Sequence, residues 1–573
     1  MANQIDLVIR GGTIYDGSGG APFVGDIAVD KGVIVKIGRV AERGREDIDA
    51  SGLIVTPGFL DIHTHYDGQA TWSNRLAPSS NHGVTTVVMG NCGVGFAPCR
   101  PQDHQKLVEL MEGVEDIPGI VMTEGLPWTW EGFPSYLNFL EARQFDMDVA
   151  GYLPHAALRV YVMGERALRR EEATDADIAE MARLTEEAMK AGALGFATSR
   201  SINHKSIKGE LIVSYSASEK ELIGIANGMK RAGRGVLQFI SDFERPEEEF
   251  AMLRRVAEQT ERRVTFSLIQ MPQAPDRWRT ILDAAEKAKK EGLPITAQVC
   301  GRPIGVYVGL ELGTNPFSFC PSYEAISGLP LAERLKAMRD PALRQKIVSE
   351  YPADSWQPIA QVLKMPEHMY QVAEKPKYEP TADESIAAQA AQRGLTPAEH
   401  LYNVLTEGNG KTVLYIPIVN YVGRKIDAVE AMMRSPVTVP GLGDGGAHYT
   451  SICDASLPTY NLMRWTSEGS GKFTLPAMVR ALTADCAEAV DLKDRGRIAV
   501  GLRGDLNIID LKRLSLGAPH LVRDLPAGGG RLEQTATGYV ATIVAGQATY
   551  RNGKATGALP GRLIRGNRTG ASA

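Results

Sequence analysis

Two histidines, His63 and His65, close the run Leu60-Asp61-Ile62-His63-Thr64-His65, which is entered through Val55-Thr56-Pro57-Gly58. The apolar approach reads as a buried strand, and on a strand residues i and i+2 point to the same side. Both imidazoles can therefore face one cavity and hold one cation. Neutral imidazole suits zinc, and three protein ligands with one open position suit hydrolysis. A pair of ordinary loop histidines is the alternative. Asp444 follows Val437-Thr438-Val439-Pro440-Gly441-Leu442-Gly443 and leads into Gly445-Gly446-Ala447-His448. A carboxylate there can touch a cation and shuttle a proton, or it can cap a turn in a glycine-rich loop. Cys92 stands in Gly90-Asn91-Cys92-Gly93. Its thiolate is a metal ligand in its own right, although a lone cysteine also serves as a small buried apolar group.

Such residues need a scaffold that brings them together. From Gly58 onward the chain alternates apolar strands with amphipathic helices, the pattern of parallel β/α units. Eight strands are expected, at Leu60–His65, Thr85–Gly90, Asp148–His155, Ala193–Ser199, Gly235–Ser241, Arg263–Ile269, Pro294–Val299 and Val437–Asp444. Helices are expected at Asp175–Ala191 behind an N-capping Thr174, at Ser218–Ala232, at Trp278–Glu291 and at Pro476–Thr483. Eight such units make an α/β, TIM-like (β/α)8 barrel, whose active site lies at the C-terminal ends of its strands. His63, His65, Cys92 and Asp444 all fall at such ends.

Residues 1–57 alternate β-rich segments with turns, including a hairpin signal at Asp30-Lys31-Gly32. They form one part of a small discontinuous β-sandwich, and residues 491–573 form the other together with a tail. The barrel spans 58–490, interrupted at about 300–436 by a mostly helical insertion that reads equally as a lid or as an oligomer contact. Pro560-Gly561-Arg562 and the polar end are expected to fray.

With 573 residues, 43% hydrophobic and 23% charged, the composition is that of an ordinary globular protein. A net charge of −5 without a basic run argues against nucleic acid as a partner. No apolar run reaches the length of a membrane span, and no secretory signal opens the chain. The six cysteines lack disulfide-like spacing. A cytoplasmic enzyme with a small-molecule substrate is expected, and homo-oligomerisation stays open.

The stretch Thr56-Pro57-Gly58-Phe59-Leu60-Asp61-Ile62-His63-Thr64-His65 resembles the first metal motif of the amidohydrolase superfamily. Gly83-Val84-Thr85-Thr86-Val87-Val88-Met89-Gly90-Asn91-Cys92-Gly93 narrows the resemblance to the D-aminoacylase (N-acyl-D-amino-acid deacylase) branch. Asp494 to Asp510 is similar to the tail pattern of the superfamily. The resemblance implies that Cys92 is a ligand and that Asp444 both binds metal and takes a proton from metal-bound water. It implies cleavage of an amide C–N bond by metal-bound hydroxide, with Asp444 as general base and acid, in an N-acyl amino acid or related amide. It also places His155, in Pro154-His155-Ala156-Ala157-Leu158-Arg159 and similar to the G-H-x-x-L-R turn of the branch, and Tyr215, in a Ser-Tyr-Ser stretch, near the substrate, with a structural histidine the equal alternative at 155. His204 and Lys205 follow the fourth strand toward the same rim, and His448 is close enough in sequence to orient Asp444.

The chain departs from the D-aminoacylase pattern at two strands. The fifth, Gly235-Val236-Leu237-Gln238-Phe239-Ile240-Ser241, and the sixth, Val264-Thr265-Phe266-Ser267-Leu268-Ile269-Gln270, contain no histidine, and the fourth carries no lysine. Gln238 and Gln270 are weak zinc ligands beside imidazole. The expectation is one zinc ion rather than two, held by His63, His65 and Asp444 with Cys92 near or bound. A rearranged metal pair using His155, His204 or His448, an ester, lactone or cyclic-amide hydrolase, and a non-catalytic scaffold of the same fold remain the alternatives.

Overall fold

The computed structural model describes residues 4–355, 357–466 and 469–566. Eight parallel strands run in sequence order, each hydrogen-bonded to the next: Phe59–Asp61, Val84–Met89, Asp148–Pro154, Gly195–Arg200, Val236–Ser241, Arg263–Ser267, Ile295–Val299 and Thr438–Pro440. These are the eight expected strands, and together they form a TIM-like barrel sheet. Its two ends meet beyond the regular ladders. The His65 amide donates to the Gly445 carbonyl at 2.8 Å, and the Asp444 amide donates to the His63 carbonyl at 3.0 Å.

The connecting helices follow the capping chemistry of the sequence. Asp175–Ala191 starts at Thr174, whose hydroxyl accepts from the Asp177 amide while the Asp177 carboxylate accepts from the Thr174 amide. This reciprocal box satisfies two amides that the first turn would otherwise leave unpaired. Glu219–Arg231 starts at Ser218, whose hydroxyl accepts from the Glu221 amide, and Arg277–Lys290 lies within two residues of its expected position. Several helices were not named from the sequence, among them Phe133–Glu141, Pro246–Thr260 and His104–Glu115. His104–Glu115 buries Leu107, Met111 and Val114, an i, i+4, i+7 stripe that was legible in the sequence.

Both chain ends contribute to one nine-stranded sheet. Ile54–Pro57 lies inside it, parallel to Ile5–Ile14 on one side and antiparallel to Leu506–Ile509 on the other. It then runs straight into the first barrel strand, so the sheet holds that strand from behind. The hairpin turn between Phe23–Asp30 and Val33–Gly38 has positive φ at both Lys31 and Gly32, as a tight two-residue hairpin turn requires.

The insertion is largely helical, with helices at Leu331–Met338, Pro341–Glu350 and Ile386–Gln392 among others. It also contains a three-stranded antiparallel sheet of Ile304–Val308, Leu414–Val419 and Tyr370–Gln371, which the mostly helical reading did not include. Its two longer strands pair across about a hundred residues of sequence, so no local pattern announces their pairing. The insertion has its own apolar core around Phe317, Met338, Leu401 and Ile416. No helix among the described residues is long and apolar enough to cross a membrane.

The expectation of fraying after Pro560 is corrected. Gly561 exchanges two backbone hydrogen bonds with Phe145, and Val149 bonds to both Arg562 and Ile564. Leu563 is buried against the barrel. The polar composition of the tail hid a short β-like contact made by its backbone. Residues beyond 566 lie outside the described part.

Asp148, at the start of the third strand, anchors the C-terminal segment to the barrel. Its fully buried carboxylate meets Arg495 Nη1 at 2.8 Å and Arg503 Nε at 2.6 Å, and accepts the Arg562 amide at 2.9 Å. Removing one member of such a buried set leaves charges without a partner in a poorly solvating interior. Asp148→Ala is expected to cost about 3–5 kcal/mol of stability, read as a lower urea midpoint. An unchanged midpoint would show that the cluster is not holding the two parts together.

Candidate metal centre

The His63 and His65 rings lie just beyond the first barrel strand, with centroids 5.5 Å apart. Backbone pairing with the segment after the eighth strand brings Asp444 to both. Asp444 Oδ1 is 3.5 Å from His63 Nε2 and 3.7 Å from His65 Nε2. Cys92 Sγ closes the group, 3.5 Å from His63 Nε2 and 3.9 Å from His65 Nε2. The ligand atoms of His63, His65 and Cys92 all lie within 4.8 Å of one another. The structure thus brings together the four residues named from the sequence as candidate ligands.

The turn that presents Cys92 explains its G-N-C-G pattern. Gly90 and Gly93 have φ of +84° and +71°, and a Cβ on either would come within 3 Å of backbone atoms of Tyr152 or Thr198. Asn91 Nδ2 donates to the carbonyls of Thr64 and Val88, latching the turn to the first two strands. Cys92 itself is held at φ 56°. Asp444, at φ 48°, is the second candidate ligand in the sparsely populated left-handed region. Strained backbone of this kind collects at functional sites.

Two glutamines support the group. Gln298 Nε2 donates to Thr265 Oγ1, so its Oε1 accepts from His63 Nδ1 at 2.9 Å. That bond leaves His63 Nε2 as a lone pair turned toward Cys92 and Asp444, the usual way in which a metal-binding histidine is fixed. Gln238, on the fifth strand where the resemblance called for histidine, accepts the Cys92 amide through Oε1 at 3.2 Å. Its Nε2 is buried and has no acceptor. Gln270 does not join the group, because its Nε2 donates to the Pro275 carbonyl.

The site is rich in buried acids. Burial raises the Asp61 carboxyl to about 8 and the Asp67 carboxyl to about 7. Burial, with Asp444 and Asp67 nearby, pushes Glu115 well above the carboxylate range. The Cys92 thiol is likewise pushed up by burial, then by Glu115 and Asp444. Burial works against Asp444 too, but the adjacent His65 and His63 imidazoles outweigh it and hold the carboxyl at about 2. Burial keeps His63 and His65 neutral, with His65 lowered to about 4. Among the described residues none of these four carboxylates pairs with lysine or arginine. Two neutral imidazoles, a thiol and unbalanced buried acids are the donor set of a divalent transition metal, and the residues fit zinc.

The remaining candidates are placed differently. His155 is fully buried and held by partners inside the protein. Its Nδ1 meets Thr198 Oγ1 at 2.7 Å and its Nε2 meets Glu221 Oε1 at 2.9 Å, while Arg159 pairs with the same glutamate. One turn of helix separates His155 from Arg159, so the H-x-x-L-R pattern builds a clamp on Glu221. His448 faces Glu115, with Nε2 3.8 Å from Oε2, and makes no hydrogen bond to Asp444. His204 bonds Ser199 Oγ through Nδ1 at 2.8 Å. Burial, then the neighbouring His65, His448 and His63, lower it to about 3. Lys205 and Tyr215 are half-buried farther along that loop. Among the described residues no hydrogen bond or ion pair links either to the four candidate ligands. Sequence reading missed Gln298 and Glu115. For Gln298 the available signal was an amide side chain next to the end of an apolar strand.

The profile of the amidohydrolase family matches residues 46–550. The chain belongs to the amidohydrolase family. With membership goes hydrolysis of C–N amide bonds. An uncharacterised protein of Mycobacterium tuberculosis is 25% identical over 615 residues, covering 99% of this chain and 97% of its own. The D-aminoacylase of Alcaligenes xylosoxydans xylosoxydans is 37% identical over 198 residues, 34% of this chain and 38% of its own. Among solved structures, a D-aminoacylase superposes with a TM-score of 0.65 at 21% identity, over 98% of this chain and 99% of that one. The N-acyl-D-glutamate deacylase of Bordetella bronchiseptica, solved with zinc and a phosphonate inhibitor, gives 0.62 at 22%, over 98% and 100%. These structural likenesses describe the shared amidohydrolase fold.

Proposed function

We propose that this amidohydrolase cleaves the amide bond of an N-acyl amino acid at a single zinc ion held by His63, His65, Cys92 and Asp444. The observation that carries the reading is the convergence of these four side chains among buried acids that have no basic partner. When bound, the ion supplies Lewis acidity toward a carbonyl oxygen and toward water. Gln298 holds His63 in the tautomer that leaves Nε2 free. Asp444 is ionised at neutral pH and is the most exposed of the four, its side chain 20% accessible. It takes the proton of the attacking water at Oδ1 and returns it to the departing nitrogen as the C–N bond breaks. The D-aminoacylase and N-acyl-D-aspartate deacylase relatives support N-acyl amino acids as the substrate class. Support for one ion rather than two comes from the fifth strand, where Gln238 spends its oxygen on the Cys92 amide and cannot replace an imidazole.

The test is hydrolysis of a panel of N-acyl D- and L-amino acids by protein expressed with zinc, with bound metal counted by elemental analysis. Activity is expected to disappear on chelation and to return on adding zinc, with about one ion per chain. Full activity in metal-free protein would overturn the reading.

A further inference from the structure

Glu115 ends the helix His104–Glu115 in a place that electrostatics disfavours twice. It is 2% exposed, and it sits at a helix C-terminus, where an acid opposes the helix dipole. No lysine or arginine among the described residues offsets either cost; its ion-pair neighbours are His65 and His448. The position is nevertheless firmly built. The Glu115 carbonyl accepts the His448 amide, and Ser451 Oγ donates to the adjacent Asp116 carboxylate at 2.7 Å. The loop that carries Asp444 is therefore tied to the end of this helix.

Two buried atoms here lack a hydrogen-bond partner, His65 Nδ1 and Glu115 Oε1, and they face each other at 3.4 Å. Glu115 stands behind the His65 ring as Gln298 stands behind His63, but at 3.4 Å rather than 2.9 Å and without a formed hydrogen bond. We propose that Glu115 is the positioning carboxylate of the metal centre: its Oε1 takes the Nδ1–H of His65, so that Nε2 presents its lone pair to the ion beside Cys92 and Asp444. The inference rests on the zinc reading above. A carboxylate behind a histidine ligand fixes the ring, selects its tautomer and strengthens it as a donor, and losing such a group costs about 10–100-fold in metal affinity. The orientation requires only an oxygen that accepts. A glutamine at this position keeps that oxygen and gives up the charge.

The experiment measures zinc affinity by chelator competition, together with Tm, for the wild type, E115A, E115Q, H65N and L110A. Leu110 is buried on the same helix and away from the ligands, so L110A reports damage to the helix alone. E115A is expected to weaken zinc binding by about 10–100-fold, E115Q by less, and L110A to lower Tm while leaving affinity as it was. The cobalt-loaded protein should show an altered ligand-field spectrum in E115A. If E115A is recovered unfolded, E115Q carries the comparison, because it is nearly the same shape. Unchanged affinity in the Glu115 variants alongside a loss in H65N would overturn the role of Glu115 and leave the zinc centre standing. An equal loss in L110A would reduce the effect to helix packing and also overturn it. A wild-type protein that binds no divalent ion would overturn both readings.

Discussion

Asp444→Asn is expected to lower kcat by about 10³-fold, the middle of the range for removing a general acid–base group. That is roughly 4 kcal/mol of transition-state stabilisation. Asparagine keeps the shape and one oxygen, so the backbone bond from residue 444 to the His63 carbonyl survives, and the barrel closure with it. What is lost is the acceptor that His63 and His65 now surround at 3.5 and 3.7 Å. The side chains of His63, His65 and Cys92 still converge, so most of the bound metal should remain. The informative result is therefore a split, with a collapse in turnover that exceeds the fall in metal content. Steady-state kinetics and elemental analysis on the same preparation measure it. Turnover within a few-fold of wild type would remove Asp444 from the chemistry.

The double variant His63→Asn, His65→Asn should abolish stoichiometric metal binding. Zinc bound by four protein ligands is worth about 10–16 kcal/mol, or roughly 3 kcal/mol per ligand when shared evenly. Two ligands then amount to about 10⁴-fold in affinity, since each 1.4 kcal/mol is tenfold. Asparagine fills part of the space and offers an amide oxygen, a poor zinc ligand. The fold should persist, because the backbone bonds of residues 63 to 65 do not involve the rings. Far-UV circular dichroism with equilibrium dialysis against zinc separates the two outcomes. A variant that stays folded and still holds one ion per chain would place the metal somewhere other than this cluster.

The eight strands and the four candidate ligands were readable because each is announced locally. An H-x-H ending an apolar run has the period of a strand. G-N-C-G marks a turn whose backbone admits no Cβ at its glycines. Thr174 and Ser218 state where their helices begin, because side-chain capping is a contact between residues three apart. Ends were less legible than centres. The first strand was expected to run to His65, but its regular pairing stops at Asp61. The histidines continue on bonds made with the far end of the barrel. His155 shows the opposite failure. Its motif was visible and its partner was not, because Glu221 lies 66 residues away and shares no pattern with it.

By itself, then, the amino-acid sequence determined the order of the barrel strands, the chemical type of the cluster at their ends and the absence of histidine from the fifth and sixth. Only the tertiary structure decided how those donors are held: Gln298 behind His63 from 235 residues away, Gln238 under the Cys92 amide, and Glu115 beside His65. The reason is the range of the forces. Periodicity, capping and turn geometry act between neighbours in the chain and leave a trace there. A buried hydrogen bond depends only on which atoms meet once the barrel has closed.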